Sequence, residues 1–158
     1  MYLLSKYGGV WIDGTVLLTE PIPNYIVKSD FFKFLLPSNH KMRKYYLASN
    51  WFIVSKPGNL LIEVMRISLT EYWKHENKLL DYSIFHIIFL NNIEFNEVLA
   101  KEWSKCVVLY NENPHALQFF LEEEFNLEKI NRLLGVCSIH KMTYNLIFFN
   151  EFVDLYKK

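Results

Sequence analysis

Hydrophobic and polar positions follow two different patterns along the chain, and the change falls near residue 57. Before it, short apolar runs are separated by glycine, proline and asparagine, a pattern typical of strands. These runs predict strands at Val10 to Leu18, Phe31 to Leu36 and Tyr45 to Val54. Residues 1–7 are predicted to form the last turns of a helix whose beginning is missing and which ends at a pair of glycines.

From residue 57 onwards, apolar positions recur three and four residues apart and predict helices. The first helix is expected to start at Pro57-Gly58-Asn59, because proline suits the first helical turn, and to run to about His75. Later apolar stripes predict helices near residues 80–91, 94–105, 114–123, 126–134 and 145–156. Early strands followed by late helices predict an α/β fold, which we expect to form a single domain over residues 1–158.

The composition excludes several classes of protein. The chain has 158 residues and is 51% apolar, which is enough to bury a core, and its 17 basic residues balance its 17 acidic ones. A net charge of zero gives no electrostatic footprint for nucleic acid. The aromatic content of 17% is high, and we attribute it to core and interface packing more than to a sugar-binding cleft.

Other features of the sequence bear on location. No apolar run approaches the roughly 20 residues that span a membrane, and the start of the chain lacks the basic region and cleavage site of a secretory signal. Cys106 and Cys137 show neither metal nor disulfide spacing, so we expect a soluble cytoplasmic protein with free thiols. A basic cluster within residues 40–44 is read as a solvated loop. The alternative is contact with a phosphate-bearing donor or with an anionic membrane surface.

Asp13 is the first candidate for chemistry. It follows the apolar run Val10 to Ile12, and a carboxylate there is costly unless a metal, a cation or a hydrogen-bond donor pairs with it. With Thr15 two residues later, one carboxylate and one hydroxyl could share an Mg²⁺ or Mn²⁺ ion with phosphate oxygens. The alternative is that Asp13 caps a turn or pairs with a lysine.

Three other groups of polar residues are candidates. His140 and Lys141 offer an imidazole for Mn²⁺ and a positive charge for phosphate, unless they only lie in a loop between helices. Asp81 precedes a helix, where an aspartate usually caps the amides. The third group stands at a strand end beside a helix start, where polar side chains bind sugar or phosphate or simply shape the turn: Asn50, Ser55 and Lys56.

Four ordered sequence blocks resemble one known family. Residues 7–15 read YGGVWIDGT, residues 50–59 read NWFIVSKPGN, residues 81–82 read DY and residues 140–144 read HKMTY. Together they resemble the capsular polysaccharide synthesis proteins, which look like relatives of glycosyltransferases with a DXD-type motif, including the mannosyltransferase-like group. The resemblance implies a GT-A-like, Rossmann-related fold. Of that fold, this chain looks like the C-terminal part without the N-terminal nucleotide-binding half.

The same resemblance implies a function. It would be a glycosyltransferase that moves a sugar from a nucleotide-sugar donor to a glycan acceptor during capsular or surface polysaccharide synthesis. Asp13 and His140 would engage the diphosphate or its divalent metal, Mn²⁺ or Mg²⁺, while Thr15 and Lys141 complete the donor site. Asp81 would be the catalytic base that deprotonates the acceptor hydroxyl. Substrate contacts would come from Asn50, Ser55 and Lys56.

Two departures from the family pattern keep a second hypothesis open. Thr15 stands where the DXD-type motif has its second aspartate, and the nucleotide-binding half has no counterpart here. The chain would then be a truncated, non-catalytic remnant that acts as an oligomeric or partner-binding module. An uncovered sheet edge would favour a homo-oligomer.

Overall fold

The computed structural model describes residues 1–36, 41–42 and 45–156. In this part of the chain, six strands and eight helices form a mixed α/β protein, which confirms the expected class. The basic residues His40, Arg43 and Lys44 lie outside the described residues. Among the described helices, none combines the length and the apolar character that crossing a membrane requires.

Strands and helices alternate along the chain. The strands are β1 (Gly9–Ile12), β2 (Val16–Leu18), β3 (Phe31–Leu35), β4 (Ala48–Ser55), β5 (Val107–Tyr110) and β6 (Ile139–Lys141). The helices are α1 (Tyr2–Tyr7), α2 (Asn24–Val27), α3 (Leu60–His75), α4 (Ile84–Glu94), α5 (Glu97–Ser104), α6 (Glu112–Leu121), α7 (Leu127–Leu134) and α8 (Phe149–Tyr156). They divide into two compact units, the first made of Met1–Ile12 and Asn24–Tyr110 and the second of Asp13–Pro23 and Asn111–Lys158. The expected single domain stays a prediction.

A four-stranded sheet forms the centre of the first unit, with strand order β1-β4-β3-β5. Strand β4 pairs antiparallel with β1 and with β3, whereas β5 runs parallel to β3. Because β3 and β4 lie inside this order, they are buried along almost their whole length, and their sequences read as nearly continuous apolar runs. Helices α3, α4 and α5 contribute to the same core through Leu61, Met65, Phe89 and Leu99.

Gly8 makes the tight turn between α1 and β1. Its φ of 65° lies in the left-handed region, and a Cβ atom there would approach the carbonyl oxygen of Ser55 and Cδ of Pro57 to 2.7 Å. Its N–H donates to the carbonyl oxygen of Leu4 at 2.9 Å and ends the helix. Glycine alone fits this backbone and this space, and the turn sets β1 directly against the end of β4.

A two-stranded antiparallel sheet of β2 and β6 lies in the second unit. Its register places Val16 opposite Lys141 and Leu17 opposite His140. The second unit has a core of its own, with the buried residues Leu117, Leu121, Ile130, Met142 and Phe152. This core includes the residue after β6, and it therefore supports the strand on which two candidate site residues lie.

The strand predicted from Val10 to Leu18 is wrong as a single element. It is interrupted at Asp13-Gly14-Thr15, where the N–H of Val16 donates to the carbonyl oxygen of Asp13 at 3.0 Å. Strands β1 and β2 on either side of this turn belong to different sheets and to different units. Apolar residues on both sides of the turn hide the break from a hydrophobicity pattern.

The other early elements are confirmed with small shifts. Strands β3 and β4 lie at the second and third predicted strands, and β4 begins at Ala48 instead of Tyr45. Helix α3 ends at His75 as expected and begins after Asn59, whose side chain accepts hydrogen bonds from the N–H groups of Leu61 and Ile62. Helices α4 to α8 overlap their predicted segments. Mostly helices follow α3, as expected, but two short strands that the pattern did not predict, β5 and β6, also form late in the chain.

Candidate functional site

Asp13 and Thr15 lie at the two ends of the turn that separates β1 from β2. The Asp13 side chain shapes this turn itself, because its Oδ1 accepts a hydrogen bond from the backbone N–H of Thr15 at 3.3 Å. The turn is closed by the hydrogen bond from the N–H of Val16 to the carbonyl oxygen of Asp13. It therefore holds one carboxylate and one hydroxyl close together at the start of β2.

Strand β6 brings Lys141 to the same place. The N–H of Met142, the next residue, donates to the carbonyl oxygen of Thr15 at 2.9 Å. Nζ of Lys141 then donates to Oδ2 of Asp13 at 3.2 Å and to Oγ1 of Thr15. We call these three residues, Asp13, Thr15 and Lys141, the acid–lysine cluster; all three belong to the second unit. Both alternatives weighed for Asp13, a turn cap and a lysine pair, are present at once.

The acid–lysine cluster is partly buried. The side chain of Lys141 is 17% exposed and that of Asp13 is 44% exposed. Burial alone would raise the pKa of Asp13, but hydrogen bonds from Lys141 and Thr15 outweigh it and hold the pKa below its usual value. Asp13 is therefore a carboxylate at neutral pH, and the ammonium of Lys141 balances its charge.

His140 neighbours Lys141 on β6 but is fully buried. Successive side chains of a strand point to opposite faces, so the two side chains leave β6 in different directions. Burial lowers the pKa of His140, against the weaker effect of the backbone carbonyls of Leu134 and Cys137. The ring is therefore neutral at pH 7. Its role as a ligand of the diphosphate or its metal stays a prediction.

The oxygen atoms of the acid–lysine cluster do not fit the coordination of a divalent metal. One oxygen of Asp13 faces the N–H of Thr15 and the other faces the ammonium of Lys141, which also occupies the hydroxyl of Thr15. A metal bound to Asp13 would carry its positive charge beside that ammonium. Within residues 1–36, 41–42 and 45–156, no three side chains of His, Cys, Asp or Glu are grouped so that they could hold a metal ion.

Asp81 lies in the first unit, in the turn that precedes α4. Its Oδ1 accepts a hydrogen bond from the N–H of Ser83 at 2.6 Å, and its carbonyl oxygen accepts one from the N–H of Ile84 at 3.1 Å. The residue is exposed. These contacts match the helix-start alternative for Asp81, and its role as the catalytic base stays a prediction.

Asn50, Ser55 and Lys56 are spread along and beyond β4. Asn50 is exposed inside the strand, and Ser55 is buried at its end, about 17 Å further along an extended chain. The hydroxyl of Ser55 donates to the carbonyl oxygen of Lys56 at 2.9 Å, and the ammonium of Lys56 pairs with the carboxylate of Asp30. Turn chemistry accounts for Ser55 and Lys56, and substrate binding by this group stays a prediction.

His115, which shows no ligand spacing in the sequence, lies on α6 in the second unit. Its Nδ1 lies 2.8 Å from the carbonyl oxygen of Asn111. Burial lowers the pKa of His115, against the weaker effect of the Asn111 carbonyl, and the positive charge of Lys141 lowers it slightly further. No spacing in the sequence connects His115 with Lys141; the packing of α6 against β6 does.

The sequence was also compared with known proteins. The family described as "Capsular polysaccharide synthesis protein" matches residues 1–157. The chain therefore belongs to the capsular polysaccharide synthesis protein family, and this membership indicates a role in capsule biosynthesis. No curated protein matches the chain. No solved structure matches it either.

Proposed function

We propose that this protein is a glycosyltransferase of capsular polysaccharide synthesis that moves a sugar from a nucleotide-sugar donor to a glycan acceptor. Family membership supports the biosynthetic role, and the acid–lysine cluster supports the reaction type. Glycosyl transfer releases a nucleoside diphosphate, whose developing negative charge must be neutralised. The observation that carries the proposal is the ammonium of Lys141, held at a partly exposed strand junction by a carboxylate and a hydroxyl.

The reaction requires a cationic group that stabilises the negative charge of the leaving diphosphate. The bond between the anomeric carbon and the diphosphate oxygen breaks, and the acceptor oxygen forms a bond to the anomeric carbon. An ammonium has three N–H donors, and two of those on Lys141 are directed to Asp13 and Thr15. In the proposal, the third donates to an oxygen of the leaving diphosphate and stabilises its charge.

The proposal also keeps the roles expected for Asp81, Asn50, Ser55 and Lys56. Asp81 takes the proton of the acceptor hydroxyl, because its exposed carboxylate is oriented by the N–H of Ser83. Contacts to the sugar or its phosphates come from Asn50, Ser55 and Lys56. The same proposal includes a GT-A-like, Rossmann-related fold, of which this chain forms the C-terminal part, and a cytoplasmic location with peripheral contact to the membrane.

The surface of the first unit favours a second candidate function, a non-catalytic module that binds a partner or a second copy of the chain. Tyr2 and Tyr7 on α1 and Trp11 on β1 are each more than half exposed. Within the described residues, β1 is also an edge strand of its sheet. Exposed aromatic groups and open strand edges are typical of interaction surfaces. A chain with this function alone would bind no nucleoside diphosphate.

Calorimetric titration of the full chain with UDP and with GDP tests the proposal. We expect diphosphate binding that becomes about 10- to 100-fold weaker in Lys141→Met, as the loss of a charge-assisted hydrogen bond predicts. Lys101→Met is the matched control, because Lys101 is an exposed lysine on α5, and it should bind as the wild type does. A chain that is folded by circular dichroism and binds neither nucleotide would support the partner-binding module.

A further inference from the structure

The acid–lysine cluster also bears on how the charge of the diphosphate is neutralised. In an inference that rests on the proposed function, we propose that Lys141 takes the place of a divalent metal. The nucleoside diphosphate then binds to an ammonium and not to a metal ion held by Asp13. Asp13 is in this arrangement a positioning residue, which acts on the ligand through Lys141. The ligand that this site binds is a nucleoside diphosphate without a bound metal ion.

The hydrogen bonds of Asp13 are the first step of the argument. Its Oδ1 accepts from the N–H of Thr15 at 3.3 Å, and its Oδ2 accepts from Nζ of Lys141 at 3.2 Å. A magnesium-like ion requires about six oxygen ligands at close to octahedral geometry. Asp13 is the single carboxylate of the cluster, and both of its oxygens already face hydrogen-bond donors.

The charge at the cluster is the second step. A divalent ion on Asp13 would lie within a few ångströms of the ammonium of Lys141, and this repulsion is strong because the lysine side chain is only 17% exposed. His140 leaves β6 on the face opposite to Lys141 and is fully buried. The cluster therefore holds one carboxylate and one ammonium, and Thr15, two residues after Asp13, adds a hydroxyl and no second negative charge.

The way in which Lys141 is held is the third step. Its backbone is fixed opposite Val16 by the β2–β6 pairing, and the next residue, Met142, donates to the carbonyl oxygen of Thr15. Its side chain is then oriented by Asp13 and Thr15. An ammonium that is already oriented and partly desolvated loses little conformational entropy when it donates to a phosphate oxygen.

This arrangement predicts an unusual response to substitution of Asp13. If Asp13 held a metal, Asp13→Asn would abolish binding, because the amide is a poor metal ligand. If Asp13 only orients Lys141, the amide oxygen of asparagine can still accept the hydrogen bond from Nζ, and the loss of a negative charge favours the anionic ligand. The amide NH2 then faces the N–H of Thr15, so the weaker hydrogen bond within the turn is lost. Asp13→Ala removes the acceptor altogether and leaves Lys141 without one of its two anchors.

The experiment is calorimetric titration of the full chain with UDP, GDP and inorganic pyrophosphate, each with Mn²⁺ and with EDTA. For wild type we expect the same affinity in both conditions. For Asp13→Asn we expect an affinity equal to the wild-type value within about fivefold, or tighter, and for Asp13→Ala a weaker one. Lys141→Met should lose metal-independent binding. Thermal melts followed by circular dichroism establish that each variant is folded.

Two other outcomes separate this inference from the function on which it rests. Wild-type binding that requires Mn²⁺ and is lost in Asp13→Asn would overturn the inference, while it would support the glycosyltransferase. A folded wild-type chain that binds no nucleoside diphosphate in either condition would overturn the proposed function, and the inference with it. Equal losses in Asp13→Asn and Asp13→Ala without any effect of Mn²⁺ would overturn the positioning role of Asp13.

Discussion

Lys33 lies fully buried on β3, in the core of the first unit. Its Nζ has no hydrogen-bond partner among the described residues and instead packs over the rings of Phe85 and Phe89, at 4.5 and 4.2 Å from their centroids. Contact with aromatic faces offsets only part of the cost of burying an ammonium. Burial accordingly lowers the pKa of Lys33 from 10.5 to about 7.

Replacing Lys33 with methionine should stabilise the first unit. Lys33→Met keeps most of the side-chain volume, removes the buried charge and adds a thioether against two aromatic rings. At pH 6 we expect a gain of about 2 kcal/mol in the free energy of unfolding, measured by urea titration. Lys101→Met, on the exposed face of α5, should change it by less than about 0.5 kcal/mol.

The same group makes stability depend on pH. Between pH 7 and 10.5, the folded chain releases the Lys33 proton that the unfolded chain still binds, so the free energy of unfolding rises with pH. The slope is at most about 1.4 kcal/mol per pH unit. Lys33→Met should remove this rise from a series of urea titrations over that range. An unchanged slope in the variant would contradict the assignment to Lys33.

At the scale of elements, the turn between α1 and β1 requires glycine at position 8, because neighbouring atoms leave no room for a Cβ atom. Gly8→Ala would force a left-handed backbone on alanine and bring its Cβ against the carbonyl oxygen of Ser55. We expect a loss of about 2 kcal/mol or more in unfolding free energy. Gly14→Ala is the matched control, since nothing lies within 4 Å of a Cβ there and its φ is unstrained. Equal losses in the two variants would contradict the steric argument.

The start of α3 depends on one side chain. Asn59 accepts hydrogen bonds from the N–H of Leu61 at 3.0 Å and from that of Ile62 at 3.4 Å. Asn59→Ala should therefore cost about 1 kcal/mol of unfolding free energy in a denaturant titration. Asn59→Asp keeps the acceptor and places a negative charge at the helix start, but it loses the hydrogen bond that Nδ2 donates to the carbonyl oxygen of Asp30, so its loss should be smaller than that of Asn59→Ala. A loss of the same size in both variants would mean that Asn59 acts in another way.

An element could be predicted from the sequence where its own apolar pattern marks it, and not where only pairing with a distant strand forms it. Strands β3 and β4 lie inside the sheet, and burial on both faces gave them continuous apolar runs that are visible in the sequence. Strands β5 and β6 have four and three residues and follow helices, so neither shows a period of its own. They exist because they pair with β3 and β2, which is a tertiary cause. Local patterns do not contain that information.

The residues of the candidate site could be predicted from the sequence, but the hydrogen bonds between them could not. Asp13 stood out because a carboxylate followed an apolar run, and Lys141 because it lay in a block that resembles a family. Their hydrogen bond joins residues 128 positions apart and depends on the β2–β6 register, which no local pattern specifies. His140 and Lys141 are neighbours in the sequence, but side chains alternate along β6 and the two point to opposite faces.

At the scale of the whole molecule, the candidate residues divide between the two units. Asp81, Asn50, Ser55 and Lys56 belong to the first unit, and the acid–lysine cluster belongs to the second. Each unit has its own buried core, built around Met65 and Phe89 in the first and around Leu117 and Ile130 in the second. Variants of the two groups therefore lie in different units, and their effects on folding must be measured separately.

This division has a spectroscopic consequence. All four tryptophans, Trp11, Trp51, Trp73 and Trp103, belong to the first unit, and Trp51 is stacked on Phe34 in its core. The second unit contains no tryptophan, so intrinsic tryptophan emission originates in the first unit. Far-ultraviolet circular dichroism, or a tryptophan introduced in place of an aromatic residue of the second unit such as Phe152, would make that half of the protein visible.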